Sequence, residues 1–202
     1  MGKLTDAMTF AIAAHGDAKR KGDGTPAIFH AMEAAAVAAT LTTDEDVLAA
    51  AVLHDTVEDC GATLDELRAR FGDRVADLVA AETEDKMRHL PPAESWYARK
   101  KAAVARLRAE TDPGAAAVTL GDKLSNMRAF YRGKRRLGGA MWDAFNQKDP
   151  AAHHWYYRAI ADALSGLSDT PAWQEYDRLI RLVFDEDKTD PETAGETRRN
   201  PG

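Results

Sequence analysis

The sequence predicts an all-α protein whose single domain is a bundle of about nine or ten helices. Two observations point to this class. Apolar residues recur at helical spacing along most of the chain, for example at Leu64, Leu67 and Phe71. No stretch shows the sustained apolar and polar alternation of a strand, or a hairpin turn flanked by β-branched residues.

Capping and stop signals set the predicted helix ends. Proline follows a capping residue at Thr25-Pro26, Asp149-Pro150 and Thr170-Pro171. Capping-box patterns mark two more starts, at Thr43 and Thr63. Glycines mark ends at Gly72, Gly133 and Gly138-Gly139. The predicted helices, in chain order, span residues 4–16, 26–41, 44–59, 64–70, 73–84, 92–110, 114–132, 138–146, 150–167 and 171–186.

Residues 1–187 form the predicted domain. After Asp187 the chain reads KTDPETAGETRRNPG, which is polar and has no apolar anchor. Residues 188–202 are therefore predicted to be a disordered tail.

Charge and composition exclude some classes of function. The 202 residues include 33 acidic and 27 basic side chains, a net charge of −6 that argues against extended nucleic-acid binding. No apolar run approaches the ~20 residues that span a bilayer, and the N-terminus lacks the pattern of a signal peptide. The single cysteine, Cys60, gives no sign of an oxidising compartment. We expect a cytoplasmic protein without nucleic-acid or membrane partners. The sequence leaves open whether the protein forms a homo-oligomer.

The segment from Ala49 to Asp59 carries the strongest chemical signal. An apolar helix runs directly into His54, Asp55, Glu58 and Asp59. Buried acids and histidines are unfavourable unless they are paired or bind a cation. A solvated, charged helix end is the simpler alternative, although acids at a helix C-terminus oppose the helix dipole. This segment alone leaves both interpretations open.

Four segments together resemble the HD-domain phosphohydrolases and, among them, the small alarmone hydrolases. These are stand-alone relatives of the hydrolase half of the bifunctional enzymes that turn over guanosine 3′,5′-bis(diphosphate). The segments, in the family's order, are Arg20-Lys21 through Thr25-Pro26-Ala27-Ile28-Phe29-His30, His54-Asp55-Thr56-Val57-Glu58-Asp59, Glu82-Thr83-Glu84-Asp85-Lys86 and Gly121-Asp122-Lys123-Leu124-Ser125-Asn126-Met127-Arg128. They cover roughly residues 8–132, and their combination is specific although no one segment is. The fold that the resemblance implies is an HD-type helical bundle.

The resemblance implies a metal centre. Carried over by position, it assigns His30, His54, Asp55 and Asp122 as the ligands of a divalent ion, and Mn²⁺ is the expected metal. Imidazole and carboxylate ligands without thiolates suit a hard or borderline ion.

The resemblance also implies the chemistry. Glu58 and Asp59 stand where the family has its catalytic Glu-Asp pair. One acid would orient or deprotonate the attacking water and the other would manage the leaving-group proton. The expected reaction removes the 3′-pyrophosphate of a guanosine tetra- or pentaphosphate, which gives GDP or GTP and pyrophosphate.

Several residues are candidates for binding the nucleotide substrate. Arg20 and Lys21 match paired basic residues beside the nucleotide in the family, and Asn126 matches an asparagine near the nucleoside. Further candidates for binding phosphate groups are Lys86, Lys123 and Arg128.

A later aromatic segment resembles many bacterial stand-alone members. It runs from Trp142 to Lys148 and continues from His154 to Arg158. An aromatic cluster that closes the bundle is the first interpretation. The alternative is that Lys148, Tyr156 or Arg158 reaches the outer phosphates. The remaining histidines, expected to be structural or exposed, are His15, His89 and His153.

The sequence departs from the family near the nucleotide. It has Pro26-Ala27 where Pro-Tyr is common, His30-Ala31 where His-Pro is common, and Gly22-Asp23-Gly24 in a longer loop. These changes keep the ligand set but leave base recognition open. The alternative substrates are an adenosine alarmone, a 2′-phosphorylated dinucleotide such as NADPH, and a nucleoside monophosphate or cyclic nucleotide. An HD module that binds a nucleotide without hydrolysing it is the alternative from another class.

Overall fold

The computed structural model describes residues 2–20 and 22–184. Within these ranges the regular structure is helical, apart from one isolated bridge between Lys19 and Pro26, so the predicted all-α class is confirmed. The helices are α1 (Lys3–His15), α2 (Ala27–Ala38), α3 (Glu45–Leu53), α4 (Thr56–Asp59), α5 (Leu64–Phe71), α6 (Asp73–Glu82), α7 (Pro92–Ala109), α8 (Pro113–Leu137), α9 (Pro150–Ala163) and α10 (Pro171–Phe184). Two 3₁₀ helices lie at Gly138–Ala144 and Ser165–Leu167.

Local capping explains several helix starts. Thr63 accepts a hydrogen bond from the Glu66 backbone N–H at 3.1 Å, as the sequence predicted for α5. Asp149 caps α9 through the Ala151 N–H at 2.9 Å, just before the proline. At α3 the prediction was one residue early, because Asp44 rather than Thr43 is the capping residue.

Three predicted helices differ from the structure. The helix predicted over residues 44–59 is broken after Leu53, and the one predicted over residues 138–146 is a 3₁₀ helix. Gly133 does not end α8, which continues to Leu137. A Cβ at Gly133 would lie 3.4 Å from the Met141 side chain of the following 3₁₀ helix, which is an ordinary van der Waals contact. Gly138, with φ +58°, ends the helix instead.

Helix α8 lies at the centre of the molecule. Its buried residues extend from Gly114 to Phe130. One apolar cluster, rich in alanine, packs α1, α3 and α6 against the first half of α8. A second, rich in aromatic rings, packs α9 and α10 against its second half. The two clusters meet along this helix, which therefore fixes the positions of its neighbours.

The packing of α2 against α8 depends on one glycine. A Cβ on Gly121 would lie 2.4 Å from the backbone oxygen of Ala34, so only glycine permits this approach. His30 lies one turn before Ala34 on α2, and Asp122 follows Gly121 on α8. The close contact therefore sets the distance between those two polar side chains.

No helix in the described part of the chain combines the length and apolar character that a membrane crossing requires. The predicted tail at 188–202 and the candidate residue Lys21 lie outside the described residues.

We expect Gly121→Ala to destabilise the protein by about 1–3 kcal/mol, because the added methyl group overpacks the interface between α2 and α8. Urea unfolding followed by circular dichroism measures the change. Gly166→Ala is the matched control, because a Cβ there has no neighbour within 4 Å. Its free energy of unfolding should stay within about 0.5 kcal/mol of the parent. Equal stability of both variants would contradict the packing argument.

Candidate metal centre and substrate cleft

Four side chains from separate parts of the chain meet at one point. His30 lies on α2, Asp122 lies on α8, and His54 and Asp55 directly follow α3. The Nε2 atoms of the two histidines are 3.1 Å apart. Oδ1 of Asp122 lies 3.1 Å from Nε2 of His30 and 3.7 Å from Nε2 of His54. Oδ2 of Asp55 lies 3.5 Å and 3.3 Å from the same two nitrogens.

The break between α3 and α4 helps to produce this arrangement. Asp55 has φ −91° and ψ −7°, and the Thr56 hydroxyl donates to the Leu53 carbonyl at 2.7 Å before α4 begins. Adjacent side chains in a continuous helix diverge by about 100°. Here His54 and Asp55 both approach His30, so the prediction of a continuous helix was wrong at the site itself.

Hydrogen bonds to the outer ring nitrogens orient both imidazoles. Nδ1 of His54 lies 2.8 Å from the Ala51 carbonyl oxygen, which can only accept, so this nitrogen carries a hydrogen. Nδ1 of His30 lies 2.8 Å from Oγ of Ser125. Both rings therefore present Nε2 to the cluster, as histidines that bind metals do.

The electrostatics of the cluster call for a positive charge. Burial lowers the pKa of His30. Burial has the same effect on His54, but the carboxylates of Asp55 and Asp122 outweigh it and raise the pKa of His54 to about 10. Burial alone would raise the pKa values of both acids. The His54 imidazole beside Asp55 and the Lys123 ammonium beside Asp122 hold those pKa values below their usual range.

The cluster fits a divalent cation in place of the His54 proton. Ligand atoms of His30, His54 and Asp122 lie within 4.8 Å of one another. Ligands about 2.1 Å from an octahedral ion are ~3.0 Å apart when adjacent, close to the observed separations. Nitrogen and oxygen donors without a thiolate suit a hard or borderline ion. The structure thus brings together the four side chains that the sequence predicted as ligands, and their role as ligands stays a prediction.

The two predicted catalytic acids lie on α4, just beyond the cluster. Oε1 of Glu58 is 2.6 Å from Nζ of Lys86, and its Oε2 accepts from the Glu84 backbone N–H at 3.0 Å. The same ammonium donates to Oδ1 of Asp59 at 3.0 Å. The Glu58 side chain is 18% exposed and that of Asp59 is 58% exposed. Lys86 thus holds together two carboxylates that differ in access to water.

The metal cluster and these acids line an open cleft of about 480 Å³. Its other polar walls include cationic and amide side chains, namely Lys19, Arg20, Lys86, Lys100, Lys123 and Asn126. Two further acids, Glu82 and Glu84, also line it beside these cations. Arg20 donates to Oδ1 of Asn126 at 2.6 Å, and Asn126 donates to Oδ1 of Asp122 at 2.5 Å. These two bonds link a cation in the cleft wall to a ligand of the metal cluster.

Lys123 is largely buried between two acids. Its ammonium pairs with Asp122 and lies 3.7 Å from Oε2 of Glu82. Burial by itself lowers the pKa of Lys123. The negative charge of Asp122 is the largest of the effects that outweigh burial and raise that pKa. The ammonium therefore stays charged and offsets part of the negative charge in the cluster.

A second cavity of about 220 Å³ adjoins the cleft. Arg20, Lys100, Asn126 and Phe145 line both spaces. The remaining walls are mostly apolar or aromatic, formed by Trp96, Phe130, Met141, His153, Tyr156 and Tyr157. The combined space is charged at one end and aromatic at the other, so it suits a ligand that has an anionic part and a planar part.

Tyr156 is a candidate that reaches this space. Its ring is buried, and its hydroxyl has no hydrogen-bond partner among the described residues. The Lys100 ammonium lies 4.7 Å from the ring centroid. The neighbouring rings pack together as the first interpretation of the aromatic segment expected. Trp142 stacks on His153 at 4.9 Å, and Phe130 meets Trp142 at 5.2 Å.

Three candidates for binding phosphate do not line the cleft or the adjoining cavity. Arg128 pairs with Glu33 and Glu175. Arg158 pairs with Asp177 at 2.5 Å. Lys148 is exposed on the segment before α9. Their predicted contacts with substrate stay predictions.

Sequence reasoning missed three polar residues in the cleft wall, Lys19, Lys100 and His15. Lys100 pairs with Glu84, which also accepts from Arg99 at 2.8 Å, and no local pattern distinguishes it from its basic neighbours on α7. His15 was expected to be structural or exposed, but it is buried and lines the cleft. Its Nδ1 lies 3.4 Å from Sγ of Cys60. Burial lowers the pKa of His15 and raises that of Cys60 to about 11.

Comparison with known proteins agrees with this geometry. A family model described as an HD domain matches residues 7–140. This chain belongs to the HD-domain family. This chain is 35% identical over 190 residues to mouse (Mus musculus) guanosine-3′,5′-bis(diphosphate) 3′-pyrophosphohydrolase MESH1, covering 91% of this chain and 94% of that protein. Human (Homo sapiens) MESH1 is 43% identical over 136 residues, covering 64% and 70%.

A solved structure shares the fold of this HD domain. It belongs to a metazoan orthologue of SpoT that hydrolyses ppGpp. The TM-score is 0.72 at 24% identity, and the match covers 90% of this chain and 95% of that one. The family resemblance seen in the sequence is thereby confirmed.

We expect a divalent ion such as Mn²⁺ to displace about one proton when it binds the metal-free protein. His54, with a pKa of about 10, is protonated at neutral pH and must lose its Nε2 hydrogen to become a ligand. The association constant should therefore rise about tenfold per pH unit between pH 6.5 and 8.5. Calorimetry in buffers of different ionisation enthalpy measures the released proton.

The control for this prediction is His89→Asn, which alters an exposed histidine outside the cleft and should leave proton release unchanged. His54→Asn should abolish both the release and the tight binding. A binding heat in the parent protein that does not depend on the buffer would refute the prediction.

Proposed function

We propose that this chain is a divalent-metal-dependent hydrolase that removes the 3′-pyrophosphate from guanosine 3′,5′-bis(diphosphate) or its pentaphosphate. The products are GDP or GTP and pyrophosphate. The single observation that carries the proposal is the His30, His54, Asp55 and Asp122 cluster in a cleft lined by cations and by four further acids, of which Glu58 and Asp59 are the predicted catalytic pair. The named activity of the MESH1 relatives supports the choice of reaction.

The proposed cofactor is Mn²⁺. Two imidazoles and two carboxylates favour a borderline divalent ion over Mg²⁺ or Ca²⁺, which usually occupy sites made only of oxygen ligands. Held by these residues, the ion would supply Lewis acidity, which polarises a phosphoryl oxygen and makes water a better nucleophile.

Glu58 and Asp59 are the proposed acid–base pair. Hydrolysis forms a bond between a water oxygen and the phosphorus next to O3′, and the bond from that phosphorus to O3′ breaks. A carboxylate accepts the proton that the water loses, and O3′ receives a proton as it leaves. Both acids line the cleft beside the cluster, and Lys86 joins them, so a proton taken by one stays close to the other.

The cationic walls are proposed to receive the phosphates. Arg20 and Lys86 are partly exposed in the cleft, and Lys100 reaches both the cleft and the aromatic cavity. Lys123 and Asn126 act mainly on Asp122, through an ion pair and a hydrogen bond. Their positions support a substrate with several negative charges.

The aromatic cavity is proposed to hold the nucleoside. Phe145 lines both spaces, so a planar base can lie among the rings while the phosphates point toward the metal cluster. Tyr156 offers a free hydroxyl to the same region. Stacking accepts either purine. Stacking therefore does not by itself select guanosine over adenosine, and product analysis measures this preference.

A cytoplasmic location and the oligomeric state stay predictions. The proposed reaction uses a small nucleotide and needs neither a membrane nor a nucleic acid.

We expect Glu58→Gln with Asp59→Asn to keep metal binding but to lower kcat about 10²–10⁴-fold, because both acid–base groups are removed. Pyrophosphate release and Mn²⁺ calorimetry measure the two properties. The matched control is Asp65→Asn with Glu66→Gln, an adjacent acid pair on α5 with the same change in charge and no place in the cleft. Hydrolysis near the parent rate in the first variant would exclude the pair from the mechanism.

Anion-exchange separation of products, with and without Mn²⁺, tests the substrate. We expect pyrophosphate and GDP from guanosine 3′,5′-bis(diphosphate), and no product when the metal is chelated. A panel of the adenosine analogue, NADPH, nucleoside monophosphates and cyclic nucleotides measures selectivity. Faster turnover of any of these would replace the guanosine substrate. Tight binding of the guanosine compound without any product would favour the non-hydrolysing module.

A further inference from the structure

The Ser125 hydroxyl connects His30 to a carboxylate outside the cleft. Nδ1 of His30 lies 2.8 Å from Oγ of Ser125, and that hydroxyl donates to Oε2 of Glu33 at 2.6 Å. Ser125 is only 2% exposed and His30 only 5% exposed, so water does not compete for the bond between them, whereas the Glu33 side chain is 29% exposed. A hydroxyl has one hydrogen. Because Glu33 takes it, the Ser125 oxygen must accept a hydrogen from Nδ1 of His30.

Arg128 holds Glu33 in the role of acceptor. Its Nη1 donates to Oε1 of Glu33 at 3.2 Å. Its Nε and Nη2 donate to the two carboxylate oxygens of Glu175 at 2.7 Å and 2.6 Å. A guanidinium can only donate, and this paired geometry fixes its plane. Arg128 does not line the cleft, so it can affect the metal cluster through its contact with Glu33.

The direction of this chain of hydrogen bonds affects the metal centre. If the Ser125 hydroxyl donated to His30 instead, the neutral ring would carry its hydrogen on Nε2. That hydrogen would lie between Nε2 of His54 and Oδ1 of Asp122, each 3.1 Å from Nε2 of His30, and would occupy the direction that a ligand needs. His54 requires no such control, because the Ala51 carbonyl can only accept.

We propose that Glu33 is a positioning residue which, fixed by Arg128 and acting through Ser125, holds His30 as the Nδ1–H tautomer and leaves Nε2 free to bind the metal. This inference rests on the proposed metal centre. It gives Arg128 a role other than the phosphate contact that its sequence position suggested. Groups that hydrogen-bond to a ligating histidine typically change metal affinity by about 10–100-fold.

Glu33→Gln tests this relay of hydrogen bonds, from Glu33 through Ser125 to His30, with little change of side-chain shape. The new amide can donate to the Ser125 oxygen, which frees the hydroxyl hydrogen for Nδ1 of His30. We expect the association constant for Mn²⁺ to fall about 10–100-fold. In the metal-free protein, long-range ¹H–¹⁵N spectra should show His30 changing from the Nδ1–H to the Nε2–H tautomer.

A second pair of variants tests the hydroxyl itself. Ser125→Ala should weaken Mn²⁺ binding by a similar factor, and Ser125→Thr should restore it because the hydroxyl is kept. The control is Glu94→Gln, an exposed acid on α7 that lies outside the cleft, with affinity and tautomer expected to match the parent. This pair also decides the question if Glu33→Gln fails to fold.

Two results would overturn the relay. In the first, Glu33→Gln keeps the Nδ1–H tautomer and binds Mn²⁺ within about twofold of the parent. In the second, affinity and melting temperature fall together while His30 keeps its tautomer, which would show a purely structural role. Failure of the parent to bind Mn²⁺ would refute the proposed function instead, and the spectra of the metal-free protein would still decide the direction of the relay.

Discussion

Two imidazole nitrogens and two carboxylates crowd together in the interior of this protein, and they require a positive charge among them. Each of these groups lies within 3.7 Å of another member of the set. Without compensation, the buried Asp122 carboxylate and the partly exposed Asp55 carboxylate beside it would be strongly unfavourable. A proton on His54 and the buried ammonium of Lys123 supply this positive charge. A divalent ion would supply the same compensation more completely.

This requirement explains why α8 is central to the molecule. The helix carries Asp122, Lys123, Ser125 and Asn126 at the site, and on its other faces it joins the two apolar clusters. The absence of a Cβ at Gly121 lets α2 come close enough for His30 to meet Asp122. Packing and chemistry are therefore set by the same helical contact.

The sequence predicted the parts of the structure that depend on local signals. Amphipathic spacing and capping located most helices, and the four ligand candidates came from the family resemblance. The break after Leu53 escaped prediction because no proline or glycine interrupts the apolar run before His54. At the break the Thr56 hydroxyl donates to the Leu53 carbonyl, and apolar spacing does not reveal this competition with the helical hydrogen bonds.

The rotation of a helix explains a further difference. On α8, Asn126 is turned about 40° from Asp122, but Arg128 is turned about 120° away from it. Asn126 therefore faces the cleft, whereas Arg128 points to α2 and α10, where Glu33 and Glu175 lie. A motif read in one dimension does not contain this information, because it depends on which side of the helix faces each neighbour.

The peripheral position of α5 has a practical consequence for anyone who wishes to label or immobilise this protein. Six of its eight residues are exposed or half-buried, and none of them borders the cleft or the aromatic cavity. A fluorophore or surface linker attached at the exposed Ala69 would sit on a part of the helix that carries no catalytic group. Attachment at the buried residues of α8, between Gly114 and Phe130, would instead disturb the interior and the reaction chemistry together.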